Sequence, residues 1–198
     1  MSPDRIYPDD VADEFERPPI SFADREDRPV TVRDHEATDE GFESLVEMYV
    51  AFDPEDRAQG IPPTGEQQVR DWLEHILTGD CVNVVAVLDD GRRIGHATLV
   101  PDVPASQRDS GASENASRSG DGEVAYELAI FVLAAYQGAG IGTSLIRGLL
   151  GAGQEQGVEQ VWLTVERWNH PAVALYKKVG FETSKTESFE LEMSLRLN

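Results

Sequence analysis

The segment Tyr136-Gln137-Gly138-Ala139-Gly140-Ile141-Gly142-Thr143 constrains this chain more than any other. It links an apolar strand, Val124–Val132, to a run in which Ile141, Leu145, Ile146, Leu149 and Leu150 fall on one helical face. Glycines at such a turn let backbone N–H groups point outward with no Cβ in the way. The helix start adds a partial positive charge, and together these make a site for a phosphate or pyrophosphate. The ligand class is then narrowed by what is missing. A nucleoside-triphosphate P-loop needs Gly-Lys-Ser/Thr, and no lysine stands here. A dinucleotide fingerprint begun at Gly138 would need a third glycine where Thr143 stands, and its ribose-binding acid would have to be Glu166. Taken alone, the segment also reads as a plain strand-to-helix turn.

The flanking sequence supplies a mixed α/β pattern. A strand starts at Pro29 and runs to Arg33. A helix opens at Thr38-Asp39-Glu40, with Phe42, Leu45, Val46 and Tyr49 at helical spacing. A second helix covers about Gly65 to Leu77, after a loop from Asp53 to Thr64. Val82–Leu88 and Arg93–Val100 form a hairpin about Asp90-Gly91. After the glycine turn and its helix come a strand at Gln160–Val165 and a helix from His170-Pro171 to Gly180. Two strands, around Phe181–Thr183 and Ser188–Leu197, complete the order β-α-α-β-β-β-α-β-α-β-β. Residues 1–28 are acidic and proline-containing, and are expected to be a flexible or draped extension. Residues 29–198 form one domain, with a long polar loop at 103–122.

Composition bounds what the site can serve. Lys+Arg number 17 and Asp+Glu 37, a formal charge of −20. Such a surface repels nucleic acid. The carboxylates are dispersed and lysine is scarce, a balance that suits a cytoplasm of high salt, where screening weakens self-repulsion. No apolar run reaches the length of a membrane span, and the N-terminus lacks signal-peptide character, so a cytoplasmic protein is expected. The single cysteine, Cys81, excludes an intramolecular disulfide and reads as a small buried residue opening a strand. No metal site is expected.

Two motifs carry a resemblance. Gln137-Gly138-Ala139-Gly140-Ile141-Gly142 resembles the Gln/Arg-x-x-Gly-x-Gly/Ala element of the GNAT (GCN5-related N-acetyltransferase) superfamily. Asn169-His170-Pro171-Ala172-Val173-Ala174-Leu175-Tyr176-Lys177-Lys178-Val179-Gly180-Phe181 resembles its Asn-x-x-Ala-x-x-Leu-Tyr-x-x-x-Gly-Phe element, in the same order and spacing. The likeness covers about Val124–Phe181. It implies a GNAT-like fold: a mostly antiparallel central sheet with a splayed parallel pair, the family's β4 and β5, flanked by about four helices.

The resemblance also implies a function: acetyl transfer from acetyl-CoA to a primary amine of a small molecule, peptide or protein. The alternative is a sensor module that holds acetyl-CoA without turnover. By the same resemblance, the main-chain amides of Gln137, Gly138, Ala139, Gly140, Ile141, Gly142 and Thr143 hold the pyrophosphate. Ile130, Phe131 and Val132 pair with the pantetheine amides, and Asn169 hydrogen-bonds near them. Gln137 stands where arginine is commonest, so its side chain offers a neutral hydrogen bond in place of a charge-assisted one.

For the chemistry, Tyr176 is the candidate acid for the leaving sulfur and Glu127 the candidate base for the amine. Glu166 and His170 are weaker alternatives as base. His96 is expected to be structural. The acceptor wall is placed on Tyr49–Thr64, with Tyr49, Phe52, Asp53, Glu55 and Asp56, by the same resemblance. The chain is read as a monomer or homodimer.

Overall fold

The computed structural model describes residues 5–53, 62–102 and 124–198. The loop expected at 103–122, and Glu55 and Asp56 of the expected acceptor wall, lie outside the described residues. Among the described residues, eight strands form one sheet: β1 (Ile20–Ala23), β2 (Pro29–Asp34), β3 (Val82–Leu88), β4 (Arg93–Pro101), β5 (Ala125–Val132), β6 (Gln160–Glu166), β7 (Glu182–Thr186) and β8 (Glu190–Arg196). Their order is β1-β2-β3-β4-β5-β6-β8-β7, antiparallel except for the β5–β6 pair. Among the described residues, four α-helices cover it: α1 (Asp39–Val50), α2 (Glu66–Ile76), α3 (Ile141–Glu155) and α4 (His170–Val179).

The helices start where local chemistry sets them. Thr38 caps α1 by accepting from the Gly41 amide at 3.0 Å. Asn169 caps α4 by accepting from the Ala172 amide at 3.2 Å, and Pro171 sits in the first turn. Gly180 ends α4 at φ 116°, a left-handed conformation that glycine adopts at little cost.

Alternation along each strand divides the core. Leu99, Leu128, Val161 and Leu163 face α3 and α4, with Leu145, Ile146, Leu149, Leu150 and Tyr176. Val85, Val87 and Phe131 face α1 and α2, with Leu45, Tyr49, Val69 and Leu73. Full burial of each such side chain contributes about 1.5–3 kcal/mol.

Part of the N-terminal segment, expected to be a flexible or draped extension, joins the sheet. Its residues 20–23 form β1, paired with β2 from Ile20↔Val32 to Ala23↔Pro29. Phe15 is buried beside α3, and its amide donates to Gln154 Oε1 at 2.9 Å. Gly151 admits the segment there, since a Cβ on it would lie 2.4 Å from the Glu16 carbonyl oxygen. Four residues with one apolar alternation give little periodic signal, and the pairing with β2 supplies the rest. Cys81 also departs from expectation: it precedes β3 and is only half-buried. No helix among the described residues is long and apolar enough to cross a membrane.

Candidate active site

The sheet opens at one place. β5 and β6 pair only through Ala125↔Gln160, Tyr126↔Val161 and Glu127↔Trp162. Beyond that point β5 stays paired with β4 to Val132, and β6 stays paired with β8 to Glu166. Leu128–Val132 and Leu163–Glu166 therefore face each other across a cleft without ladder bonds. Leu133 and Ala125 bond to the β4 side, so alternation spends Ala129 and Phe131 on β4 and directs the backbone N–H and C=O groups of Leu128, Ile130 and Val132 at that cleft, toward an extended ligand carrying amides. Ile130, Phe131 and Val132 lie on this edge.

At the end of β5 the chain makes a single helical turn, Ala134–Tyr136, and enters the glycine segment. Gly138 has φ 73° and Gly140 φ 95°. Both are left-handed, and a Cβ on either would meet nothing within 4 Å, so the outer face of the turn is open. Gly140 caps α3 without a side-chain hydrogen bond. Two of the seven amides from Gln137 to Thr143 are used locally, since Gln137 donates to Ala134 O at 3.2 Å and Thr143 to Gly140 O at 3.1 Å. The Gln137 side chain turns back and donates to Val132 O at 3.0 Å. It thus ties the turn to the strand end. Ala139 and Ile141 bury their side chains, which anchors the turn while leaving its backbone outward.

α4 closes one side of the same region. A Cβ at Gly142 would lie 3.4 Å from Leu175 Cδ2 and 3.9 Å from Ile130 Cδ1. The start of α3, the edge strand β5 and α4 thus converge, and Gly142 permits their approach. Tyr176, next to Leu175, is 8% exposed and packs edge-to-face with Phe181 at 5.9 Å. Burial pushes its phenol up to about 12. Asn169 spends its Oδ1 on the α4 cap, which leaves its amide NH₂ as the donor for any ligand.

Glu127 lies at the root of the cleft, on the face covered by α1 and α2. Trp162 is its neighbour across the parallel pair, and Val100 across the antiparallel one. That face is bridged by residues 5–7. The Arg5 guanidinium lies 3.4 Å from the centroid of the Trp162 ring, and pairs with Asp102 at 2.6 Å and Glu192 at 3.3 Å. Thr164 and Glu166 continue the face along β6, and Glu166 accepts from the Trp168 indole at 2.9 Å. His170 is the exposed first residue of α4.

His96 is structural, as expected, and is fully buried. Asn83 Nδ2 donates to the Ile76 carbonyl at 2.9 Å, which leaves Asn83 Oδ1 to accept from His96 Nε2 at 3.0 Å. His96 Nδ1 must then accept, and the Tyr49 hydroxyl donates to it at 2.6 Å. Burial drives the imidazole down to about 3, with His35 and Arg93 adding to the effect, so the ring stays neutral. Tyr49, placed by the resemblance in the acceptor wall, is fully buried. Its ring packs edge-to-face on Trp72, His96 and Phe131, and Phe52 packs on Phe131 from another side. Phe131 is thereby clamped where its backbone borders the cleft.

Two arginines beside the glycine turn escaped the sequence reading. The Arg25 amide donates to Ala139 O at 3.0 Å, and its guanidinium to Gly138 O at 3.1 Å. Arg28 stacks over Tyr136 with 4.6 Å to the ring centroid. Both come from the β1–β2 turn, more than a hundred residues away in sequence. Two cavities of about 340 and 380 Å³ lie along residues 8–17, away from the cleft. Among the described residues, no cluster of three or more His, Cys, Asp or Glu could hold a metal ion.

In sequence and in fold the chain matches known proteins. The sequence model of the Acetyltransferase (GNAT) family matches residues 42–181, and the chain belongs to that family. Over 51 residues it is 47% identical to a mycothiol acetyltransferase of Saccharomonospora viridis, covering 26% of this chain and 17% of that protein. Over 59 residues it is 42% identical to an N-alpha-acetyltransferase of Sulfurisphaera tokodaii, covering 29% of this chain and 35% of that one. The matches thus span a minor part of these relatives. Among solved structures, the GNAT domain of S. lividans PAT superposes with a TM-score of 0.69 at 18% identity, over 90% of this chain and 96% of that one. The ribosomal-protein-alanine N-acetyltransferase of Brucella melitensis gives 0.61 at 21% identity, over 84% and 99%. These structures share the fold of this chain. Members of the family generally use acetyl-CoA as cosubstrate.

Proposed function

We propose that this chain transfers the acetyl group of acetyl-CoA to a primary amine of a small molecule, peptide or protein. The reading is supported above all by the cleft between β5 and β6, with the open face of Gly138 and Gly140 at its head. The outward amides of residues 138–142 hold the pyrophosphate, and the cleft edge at Ile130–Val132 pairs with the pantetheine amides beside the Val132 carbonyl that the Gln137 side chain holds. Asn169 donates to the same arm through its NH₂ group. On the opposite face of β5, Glu127 takes a proton from the amine, directly or through water. The freed nitrogen bonds to the thioester carbonyl carbon, the carbon–sulfur bond breaks, and Tyr176 gives its proton to the departing sulfur. Placing base and acid on opposite sides of the reacting carbon suits direct transfer with no acetylated side chain.

A thiol-release assay with a panel of amines, run at low and high KCl, tests the reading. Release of coenzyme A that depends on the amine supports it. Coenzyme A binding with no release for any amine would point instead to a sensing module. Glu127→Gln is expected to remove or shift the acidic limb of the kcat/KM profile against pH. An acidic limb that stays in place would take Glu127 out of the base role.

A further inference from the structure

The surplus of 20 negative charges opposes a cosubstrate that is itself polyanionic. The family motif offers no cation here, because Gln137 replaces arginine and its amide is turned onto Val132 O. We propose that Arg25, delivered by the β1–β2 turn, is the phosphate-binding cation of this site. The inference rests on the acetyl-CoA reading above.

The turn is built to present that side chain. Asp24 is buried, and its Oδ1 accepts from the amides of Glu26 at 2.9 Å and Arg28 at 3.0 Å. Its Oδ2 accepts from the Arg28 guanidinium at 2.7 Å. These bonds close a tight loop in which Asp27 adopts φ 60°, a conformation aspartate tolerates better than most residues. The loop is then docked on the glycine turn by the Arg25 amide, which donates to Ala139 O. Arg28 is committed to Asp24 and to the Tyr136 ring.

Arg25 is different. It is exposed, and its guanidinium donates to the Gly138 carbonyl at 3.1 Å. A guanidinium carries five N–H donors in a planar fork, so most of its donors can serve a second acceptor. Gly138 is the first left-handed glycine of the turn, and its outer face is open. A phosphate oxygen bound to the amides of residues 138–142 would lie within the reach of an arginine anchored on that carbonyl. β1 and its turn are thus a functional addition to the sheet, supplying by a long-range contact the charge that the motif position lacks.

Calorimetric titration of coenzyme A and of pantetheine, which lacks the phosphates, separates this role from a structural one. Arg25→Ala and Arg25→Gln are expected to weaken coenzyme A binding about tenfold or more, the scale of a charge-assisted bond. Pantetheine binding should be unchanged in both, and Arg25→Lys should recover most of the loss. Equal weakening of both ligands would mean that Arg25 only braces the turn, and unchanged coenzyme A binding would also overturn the proposal. If the unaltered protein binds neither ligand, the acetyl-CoA reading itself fails.

Discussion

Replacing Tyr176 by phenylalanine is expected to lower kcat about a hundredfold or more, with coenzyme A binding unchanged. The magnitude is that of a lost general acid. Tyr176 is almost wholly buried, and its ring contacts Phe181, so phenylalanine keeps the shape and most of the dispersion energy. The variant should therefore fold and melt much like the parent. What it loses is the hydroxyl, which burial holds protonated up to about pH 12. A phenol in that state can only give a proton at working pH, which suits the departing sulfur and not the incoming amine. It follows that Tyr176 adds no basic limb to the pH–rate profile below about pH 11. A variant with unaltered kcat would remove Tyr176 from the chemistry and leave it a core aromatic.

The second large effect is on stability, and it centres on Tyr49. Truncation to alanine would empty the space between Trp72, His96 and Phe131, at a cost of about 3–5 kcal/mol. Tyr49→Phe keeps the ring but leaves buried His96 Nδ1 without its donor, at about 1–3 kcal/mol. The same network carries a pH signature. His96 has a folded value near 3 against an ordinary value of 6.5. Below pH 6.5 the unfolded chain therefore binds a proton that the folded chain refuses. The stabilisation is complete above pH 6.5 and declines as pH falls toward 3, by at most about 1.4 kcal/mol per pH unit. Denaturant unfolding of His96→Gln should show a shallower decline between pH 6.5 and 4.5, by up to one proton. An identical slope in the two proteins would mean that His96 is not the neutral, excluded ring described here.

Much of this site is legible in the sequence, for a physical reason in each case. Gly138, Gly140 and Gly142 are informative because a left-handed turn and a close helix approach both demand glycine. Ile141, Leu145, Ile146, Leu149 and Leu150 announce α3 because one face is buried against the sheet. The aromatic clamp on Phe131 could not be read, since Phe52, Tyr49 and Trp72 meet it only through the tertiary packing of α1 and α2. Arg25 was hidden for the same reason: no local pattern links it to Gly138, 113 residues away. Gln137 was legible as a motif residue but not in direction, because its amide had two candidate partners, a ligand phosphate and the Val132 carbonyl. The acidic N-terminal composition masked β1 and Phe15, whose order comes from pairing with β2 and burial beside α3.

In the proposed function, acetyl-CoA occupies the cleft between β5 and β6 with its phosphates on the glycine turn. Amide hydrogen exchange with and without coenzyme A measures this directly. The expected result is slower exchange, on saturation, at the cleft-facing amides of Leu128–Val132 and at the amides of residues 138–142. Protection confined to other parts of the chain, or none at all under saturating coenzyme A, would contradict the account.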